Sequence, residues 1–438
     1  LSRDDRQKRF HKCLILLFRG SWGPIMATSL SSLIPSESFF APLAGLAEKS
    51  IHARNCNEIS DAQWIQIGLT RIINDPTTGR GFLQQVAALL SSPPKHSNFF
   101  ETLKSERRLG MVVDVDAKVA SMLAAQGTEH PHLANYAIYA GDGHWHAAAC
   151  HDAPIDDRRW AVGHLYAMDF RTHALRHLDL TDGKREHDMS VIKRLGTKGM
   201  RLGEAAGRKV LWVWDRAVID FPLWQHWKQT SGIYFLTRTK EKLVFTVNSS
   251  RLFDRNDPVN SGVLSDELVT TGQSTLVRRV TYRDPVSGKL FEFITTVFDV
   301  PPGVIASLYK RRWDIEKVFD ELKNKLNESK AWATSPTAKK MQAHFLCLAH
   351  NLLELLTRRL AAEHQIRDEA GLRRQQKRLD QQKAAAAKKG RILSSLLTAS
   401  LRPLQRSIKL IRWLRTHWFS SAPLAQFLPR LIRLYAVD

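Results

Sequence analysis

The sequence predicts an α/β chain. A mixed sheet of three consecutive strands, a helix, a strand, a helix and a strand is interrupted by a β-rich insertion and flanked by helical regions at both ends. Three observations carry this. From residue 134 onward, short segments at 136–140, 161–170 and 174–180 read as strands with tight connections. Residues 210–214 (VLWVW) are an unbroken apolar run bounded by charge, which suits a strand buried on both faces. Before residue 110 and after residue 304 the apolar spacing becomes helical.

Residues 1–110 form a helical region, read either as a DNA-binding head or as a packing extension. Its segment 61–73 places Trp64, Ile65, Leu69 and Ile72 at helical spacing, and Asp75-Pro76 stops it. Further helices are expected at 82–90, ended by Pro93-Pro94, and at 97–108. The first part of the core, 111–239, holds the three strands, a helix at 186–195, the buried strand 210–214, a helix at 221–229 and a strand at 232–237. The insertion, 240–303, has strand-like segments at 243–247, 274–282 and 290–298, with Asp284-Pro285-Val286-Ser287-Gly288 as the turn between the last two. The second part of the core, 304–362, starts with one long helix to about 327 and ends with an apolar helix at 341–362. The C-terminal region, 363–438, carries a basic tract at 367–391 and a helix at 408–419. There Ile408, Ile411, Leu414 and Trp418 offer a dimer seam.

The chain has 438 residues, a formal net charge of +22 and a pI near 10.0. With 43% hydrophobic and 25% charged residues it is not a disordered chain. The charge surplus predicts a polyanionic partner, and nucleic acid is the usual one. Four cysteines (Cys13, Cys56, Cys150, Cys347) form no C-x-x-C pair, which excludes a cysteine zinc ribbon and fits a reducing compartment. No apolar run reaches the roughly 18–20 residues of a membrane helix. The apolar stretch at 13–18 is too short for a signal peptide and Arg19 interrupts it. The expected setting is soluble, cytoplasmic and nucleoid-associated, with no membrane partner.

The helix after the insertion is testable by arithmetic. At about 100° per residue, Tyr309, Arg312, Glu316 and Lys323 share a polar stripe about 60° wide. Ile315, Val318, Phe319, Leu322 and Leu326 supply an apolar footing beside it. Two carboxylates of the core can meet this stripe: Asp142, read as following the first strand, and Asp215, ending the buried strand. An oxygen-only anionic cluster suits Mg²⁺ or Mn²⁺ rather than zinc, and two such ions support phosphodiester chemistry. Asp114 and Asp116 rival Asp142, because they also follow an apolar run; Asp169 and Asp188 are weaker rivals. His144 and His146 fall on the face of Asp142, with His151 a turn away. That pattern admits a zinc site, a structural histidine, or a His144 that touches DNA beside the metals. Glu186-His187-Asp188 reads as a helix-capping device, and Trp212 and Trp214 as core.

The stretch Tyr309-Lys-Arg-Arg312-Trp-Asp-Ile-Glu316-Lys-Val-Phe-Asp-Glu-Leu-Lys323 resembles the Y-(2)-R-(3)-E-(6)-K signature of the insertion-sequence DDE transposases of the IS-four superfamily. Ala140-Gly-Asp142-Gly-His and Trp214-Asp215-Arg216 look like its first and second acidic motifs, over roughly residues 134–350. The resemblance implies a ribonuclease-H-like core with a β insertion between the second Asp and the Glu. It implies that Asp142, Asp215 and Glu316 bind two Mg²⁺ or Mn²⁺ ions, and that Tyr309, Arg312 and Lys323 hold phosphates. The implied activity is cut-and-paste transposition: hydrolysis at the transposon end, then attack by the freed 3′-hydroxyl. The implied partners are transposon ends and target, both double-stranded DNA, gripped by a synaptic homodimer. Some members form a DNA hairpin in which an insertion aromatic, often Trp, holds a flipped base. Residues 231–312 contain no Trp, leaving Phe253, Tyr282 or Phe291. The alternatives are an inactive transposase-derived DNA-binding protein and another ribonuclease-H-like nuclease.

Overall fold

The computed structural model describes residues 29–56, 59–74, 79–87, 95–125, 130–154, 157, 159–181, 186–326, 330–396 and 408–437. The apolar stretch at 13–18, the helix stops at 75–76 and 91–94, and the expected helix end at 327 lie outside them.

Nine strands among the described residues form one sheet: β1 Tyr136–His146, β2 Val162–Asp169, β3 Leu175–Leu180, β4 Lys209–Val213, β5 Ile233–Arg238, β6 Phe245–Ser250, β7 Val263–Thr271, β8 Leu276–Arg283 and β9 Leu290–Thr295. Their order is β3-β2-β1-β4-β5-β9-β8-β7-β6. β1, β4 and β5 run parallel, while β2 and β3 are antiparallel neighbours on one side, which is the ribonuclease-H-like arrangement. The insertion continues this sheet, because β9 pairs antiparallel with β5. β7 was not expected from sequence. Its centre reads Ser-Asp-Glu, yet Asp266 is buried there in a two-pronged ion pair with the equally buried Arg278, both contacts at 2.7 Å.

Asp142 does not follow β1 but lies inside it. The parallel ladder of β1 with β4 ends at Ala140↔Val213, whereas pairing with β2 runs on to His146↔Val162. Beyond Ala140, β1 therefore has a neighbour on one side only.

The helices are α1 Pro35–Phe40, α2 Asp61–Asn74, α3 Gly79–Ala87, α4 His96–Thr102, α5 Glu106–Met122, α6 Asp188–Met200, α7 Phe221–Ser231, α8 Pro302–Arg311, α9 Asp314–Asn324, α10 Pro336–His364, α11 Glu369–Ala387, α12 Ile408–His417 and α13 Leu428–Ala436. α6 and α7 cover one face of the sheet, where Trp212, Trp214, Trp224 and Phe235 pack with Val191 and Ile192. α10, about 43 Å long at 1.5 Å per residue, covers the other face and carries α5 and α2 on its back.

Two expected helices are divided. The segment 97–108 becomes α4 and the start of α5, with Ser105 capping α5 through a bond from Arg108 N–H. Asp114 and Asp116 thus lie on a helix. The long helix from 304 is broken at Arg312-Trp313, where Arg312 N–H bonds Tyr309 O and Ile315 N–H bonds Arg312 O, tightening the turn to three-residue spacing. The expected dimer seam on α12 is internal: Ile411, Leu414 and Trp418 are fully buried, and Trp418 meets Phe39 and Phe40 edge-on.

The insertion is fastened to the start of α8 at Gly303. Its N–H donates to Asn260 Oδ1 at 3.0 Å, and a Cβ there would lie 1.9 Å from the Val259 carbonyl oxygen. Because the neighbour is backbone, Gly303→Ala must push the two segments apart. We expect a loss of about 1–3 kcal/mol, read as a lowered denaturant midpoint; an unchanged midpoint would show the contact to be slack.

Candidate active site

Asp142 sits on β1 just past the last residue paired to β4, on the sheet face that also presents Ala140 and Ile138. The glycines on either side of it, Gly141 and Gly143, face the opposite way and are there for space. A Cβ on Gly141 would lie 2.2 Å from the Trp214 ring, and one on Gly143 would lie 3.3 Å from Asp188 Oδ1. Asp215 stands two residues beyond the end of β4. Its carboxylate accepts from Ala217 N–H at 2.8 Å. The buried Thr237 hydroxyl of β5 donates to the carbonyls of Asp215 at 2.6 Å and Trp214 at 3.1 Å. Glu316 enters from the first turn of α9.

Arg312 ties these elements together. Its Nη1 donates to Asp142 Oδ2 and its Nη2 to Glu316 Oε1, each at 3.0 Å, with the side chain only 7% exposed. Burial pushes the Asp142 carboxyl up to about 6. Arg312 opposes this, and the charges of Asp215 and Glu316 add to it. Asp188 is likewise raised, by burial and then by Asp215. The site is therefore an acid cluster in electrostatic contact, with one guanidinium inside it. Among the described residues no three His, Cys, Asp or Glu side chains close around a common point at ligating distance. The donor set nonetheless suits a hard divalent cation: three carboxylates, oxygen only, with repulsion among them that a cation relieves.

The remaining expected residues divide. Tyr309 lies against Phe293 at 5.0 Å, its hydroxyl pushed up by burial and drawn down by Arg312. Lys323 is exposed near the far end of α9, seven residues and about 10 Å along the helix from Glu316. His144 is 9% exposed and stacks on Phe319 of α9 at 4.8 Å. His146 bonds His164, and His151 is exposed elsewhere. Three of the four rivals are engaged away from the cluster: Asp114 accepts from Ser50, Asp116 from His344 and Asn351, and Asp169 from the N–H groups of Arg171 and Thr172; Asp188 alone lies beside the cluster. His187 caps α6 through Met189 N–H, as its motif suggested. Of the insertion aromatics, Tyr282 is buried against Phe293, while Phe253 carries Arg255 over its ring. Sequence reasoning passed over Thr237 and the reason for the two glycines; Gly-x-Gly around a strand acid was their only signal.

The family described as "Transposase DDE domain" matches residues 110–352, more than half of the chain. A solved structure of the piggyBac transposase synaptic complex with hairpin DNA overlays with a TM-score of 0.35 at 10% identity, covering 91% of this chain and 76% of that one. No curated protein matches.

The raised Asp142 has a consequence for stability. A carboxyl whose folded value lies above its usual 3.8 favours folding when protonated; the benefit is full below pH 3.8 and is lost as pH rises through about 6. Asp142→Asn cannot ionise, so above pH 6 it should exceed wild type by on the order of 2–3 kcal/mol, with the gap closing below pH 4. Chemical denaturation across pH 4–8 measures this; a gap that does not vary with pH would contradict it.

Proposed function

The chain belongs to the transposase DDE domain family, whose members are DNA transposases that cut and join strands with divalent metal ions. On that premise we propose that Asp142, Asp215 and Glu316 are its catalytic carboxylates and together hold two Mg²⁺ or Mn²⁺ ions. The observation that supports this most is the buried Arg312 guanidinium, 3.0 Å from both Asp142 and Glu316. It supplies positive charge at the point where three acids from distant parts of the chain converge. When bound, the metal pair activates the attacking oxygen and stabilises the leaving one.

The chain's own residues do the rest. Arg312, which holds Asp142 and Glu316, would present its fork to a phosphate of the scissile end, which matches guanidinium geometry. Tyr309, whose hydroxyl stays protonated, donates to a neighbouring phosphate oxygen. Lys323, exposed on α9, contacts the backbone further along the end. On these assignments we read the chain as a member of the tyrosine–arginine–glutamate–lysine group and its reaction as cut-and-paste: water cleaves at the element's end, and the new 3′-hydroxyl attacks the target. Two ends must be held at once, so a synaptic homodimer follows from the reaction. Its interface lies elsewhere than α12, whose apolar face is internal. Among the described residues no helix is long and apolar enough to cross a membrane.

Glu316→Gln, nearly isosteric, should abolish metal-dependent nicking at the ends of the protein's own element while leaving DNA binding within about twofold; a variant that still nicks sinks the assignment. Arg312→Ala removes a cation that competes for the same carboxylates. Without DNA, it should bind Mn²⁺ roughly tenfold more tightly by titration calorimetry, yet cleave ends poorly. Weaker Mn²⁺ binding by this variant would mean that Arg312 organises the acids instead of standing in for metal.

A further inference from the structure

A second basic centre lies in the N-terminal helical layer, apart from the carboxylates. A cavity of about 360 Å³ is lined by Arg54, Asn55, Cys56, Asn98, Thr102, Arg107 and Arg108, with Ile59 among them. Arg107 and Arg108 are the second and third residues of the 17-residue helix α5, so the positive end of that helix points to the same place. Asp61 organises the wall. Its carboxylate accepts two bonds from Arg107, at 2.8 and 2.9 Å, and one from Arg54 N–H at 3.0 Å; these contacts outweigh burial and hold it below the usual carboxylate range. Among the described residues, Glu101 is paired with Lys104, and Glu106 accepts from the Thr337 hydroxyl.

Three arginines thus line a cavity beside one carboxylate, and only Arg107 and Arg108 bring their guanidinium groups to it. Arg108 is 7% exposed, lies over Trp64 at 4.9 Å and donates its Nη2 to Ile59 O at 2.9 Å, but its Nη1 is buried with no hydrogen-bond partner. A buried charged donor left unmet is costly, and an anion in the cavity would relieve it. The helix terminus, the surplus of arginines and the amides of Asn55 and Asn98 match a tetrahedral oxyanion.

We propose that this cavity is a phosphate-binding site. The phosphate comes either from the backbone of bound duplex DNA or from a free phosphomonoester. Only the first source rests on the transposase reading.

Inorganic phosphate, titrated against chloride at matched ionic strength, should raise the melting temperature of the wild-type protein. Arg54→Glu and Asn55→Asp, both at exposed positions, should lose most of that shift. On a short duplex, the slope of log affinity against log salt should fall by about one in Arg54→Glu, as expected for one lost phosphate contact. A changed slope assigns the site to the DNA backbone. A shift with phosphate and with deoxyadenosine monophosphate, with the slope unchanged, assigns it to a free phosphomonoester. No phosphate-specific shift together with an unchanged slope overturns the proposal. Because the phosphate arm does not involve cleavage, its result stands whether or not Glu316→Gln behaves as expected.

Discussion

The arrangement around Asp142 depends on where one ladder ends. β1 and β4 stop pairing at Ala140↔Val213, yet β1 continues along β2 for six more residues. The departure of β4 opens a notch at the sheet edge, with Asp142 on one wall and Asp215 on the other. Placing carboxylates in such a notch is unfavourable, because burial and mutual repulsion both oppose ionisation. Even with Arg312 present, burial pushes the Asp142 carboxyl up to about 6. Held by two carboxylates and nine-tenths buried, Arg312 is the counter-charge that keeps these acids together. A surface ion pair of the same geometry would contribute little; here low exposure makes removal of the guanidinium expensive, because it leaves the buried acids without a counter-charge.

Glu316 reaches the notch only because the insertion returns the chain to the right place. β9 pairs with β5, so the four insertion strands extend the catalytic sheet, and the chain enters α8 from β9, beside the core strand β5. The buried Arg278–Asp266 pair locks β8 to β7, and Arg278 Nη1 also donates to the carbonyls of Val297 and Val300 on the way to α8. Gly303 then seats the helix against Val259 and Asn260. The tightened turn at Arg312-Trp313 re-aims the polypeptide between α8 and α9. The polar stripe drawn on one ideal helix therefore survives locally, at Arg312 and Glu316, and is lost over the longer distance to Lys323.

Much of this was legible in the residues, and the exceptions share a cause. Period-two segments and the run VLWVW located β1 to β5, because burial on a sheet imposes that pattern directly. The misread elements are those in which tertiary contact overrides local chemistry. Asp142 reads as following the first strand, but it lies inside it, and the glycines beside it make room for Trp214 and Asp188. Asp266 lies in a stretch with no strand pattern, and only Arg278, two residues along β8 from the register partner Val280, accounts for its burial. Asp114 and Asp116 follow an apolar run that suits strand or helix equally, and only α10 behind them decides for helix. The seam on α12 was a true amphipathic face, but amphipathicity does not say whether its partner is another chain or the same one.

The far end of β1 is held by a device no periodicity announces. His146 Nε2 meets His164 Nε2 at 3.0 Å, and His164 Nδ1 meets His177 Nε2 at 3.0 Å, joining β1, β2 and β3 across the face that α10 covers. Beyond them His344 of α10 bonds Asp116 of α5, and Asn351 bonds both Asp116 and the backbone of Leu175. The Ala147 carbonyl, 3.0 Å from His146 Nδ1, can only accept, so His146 carries its proton there. His164 must then donate from Nε2, and His177 from Nε2 in turn. The backbone at Asp179 also favours a proton on His177, so the chain offers one more acceptor than three neutral rings can serve. An added proton would meet that demand, but burial pushes His164 and His177 well below their ordinary values and keeps the rings neutral. The strand that bears Asp142 is thereby anchored by directional hydrogen bonds without placing another charge beside the acids.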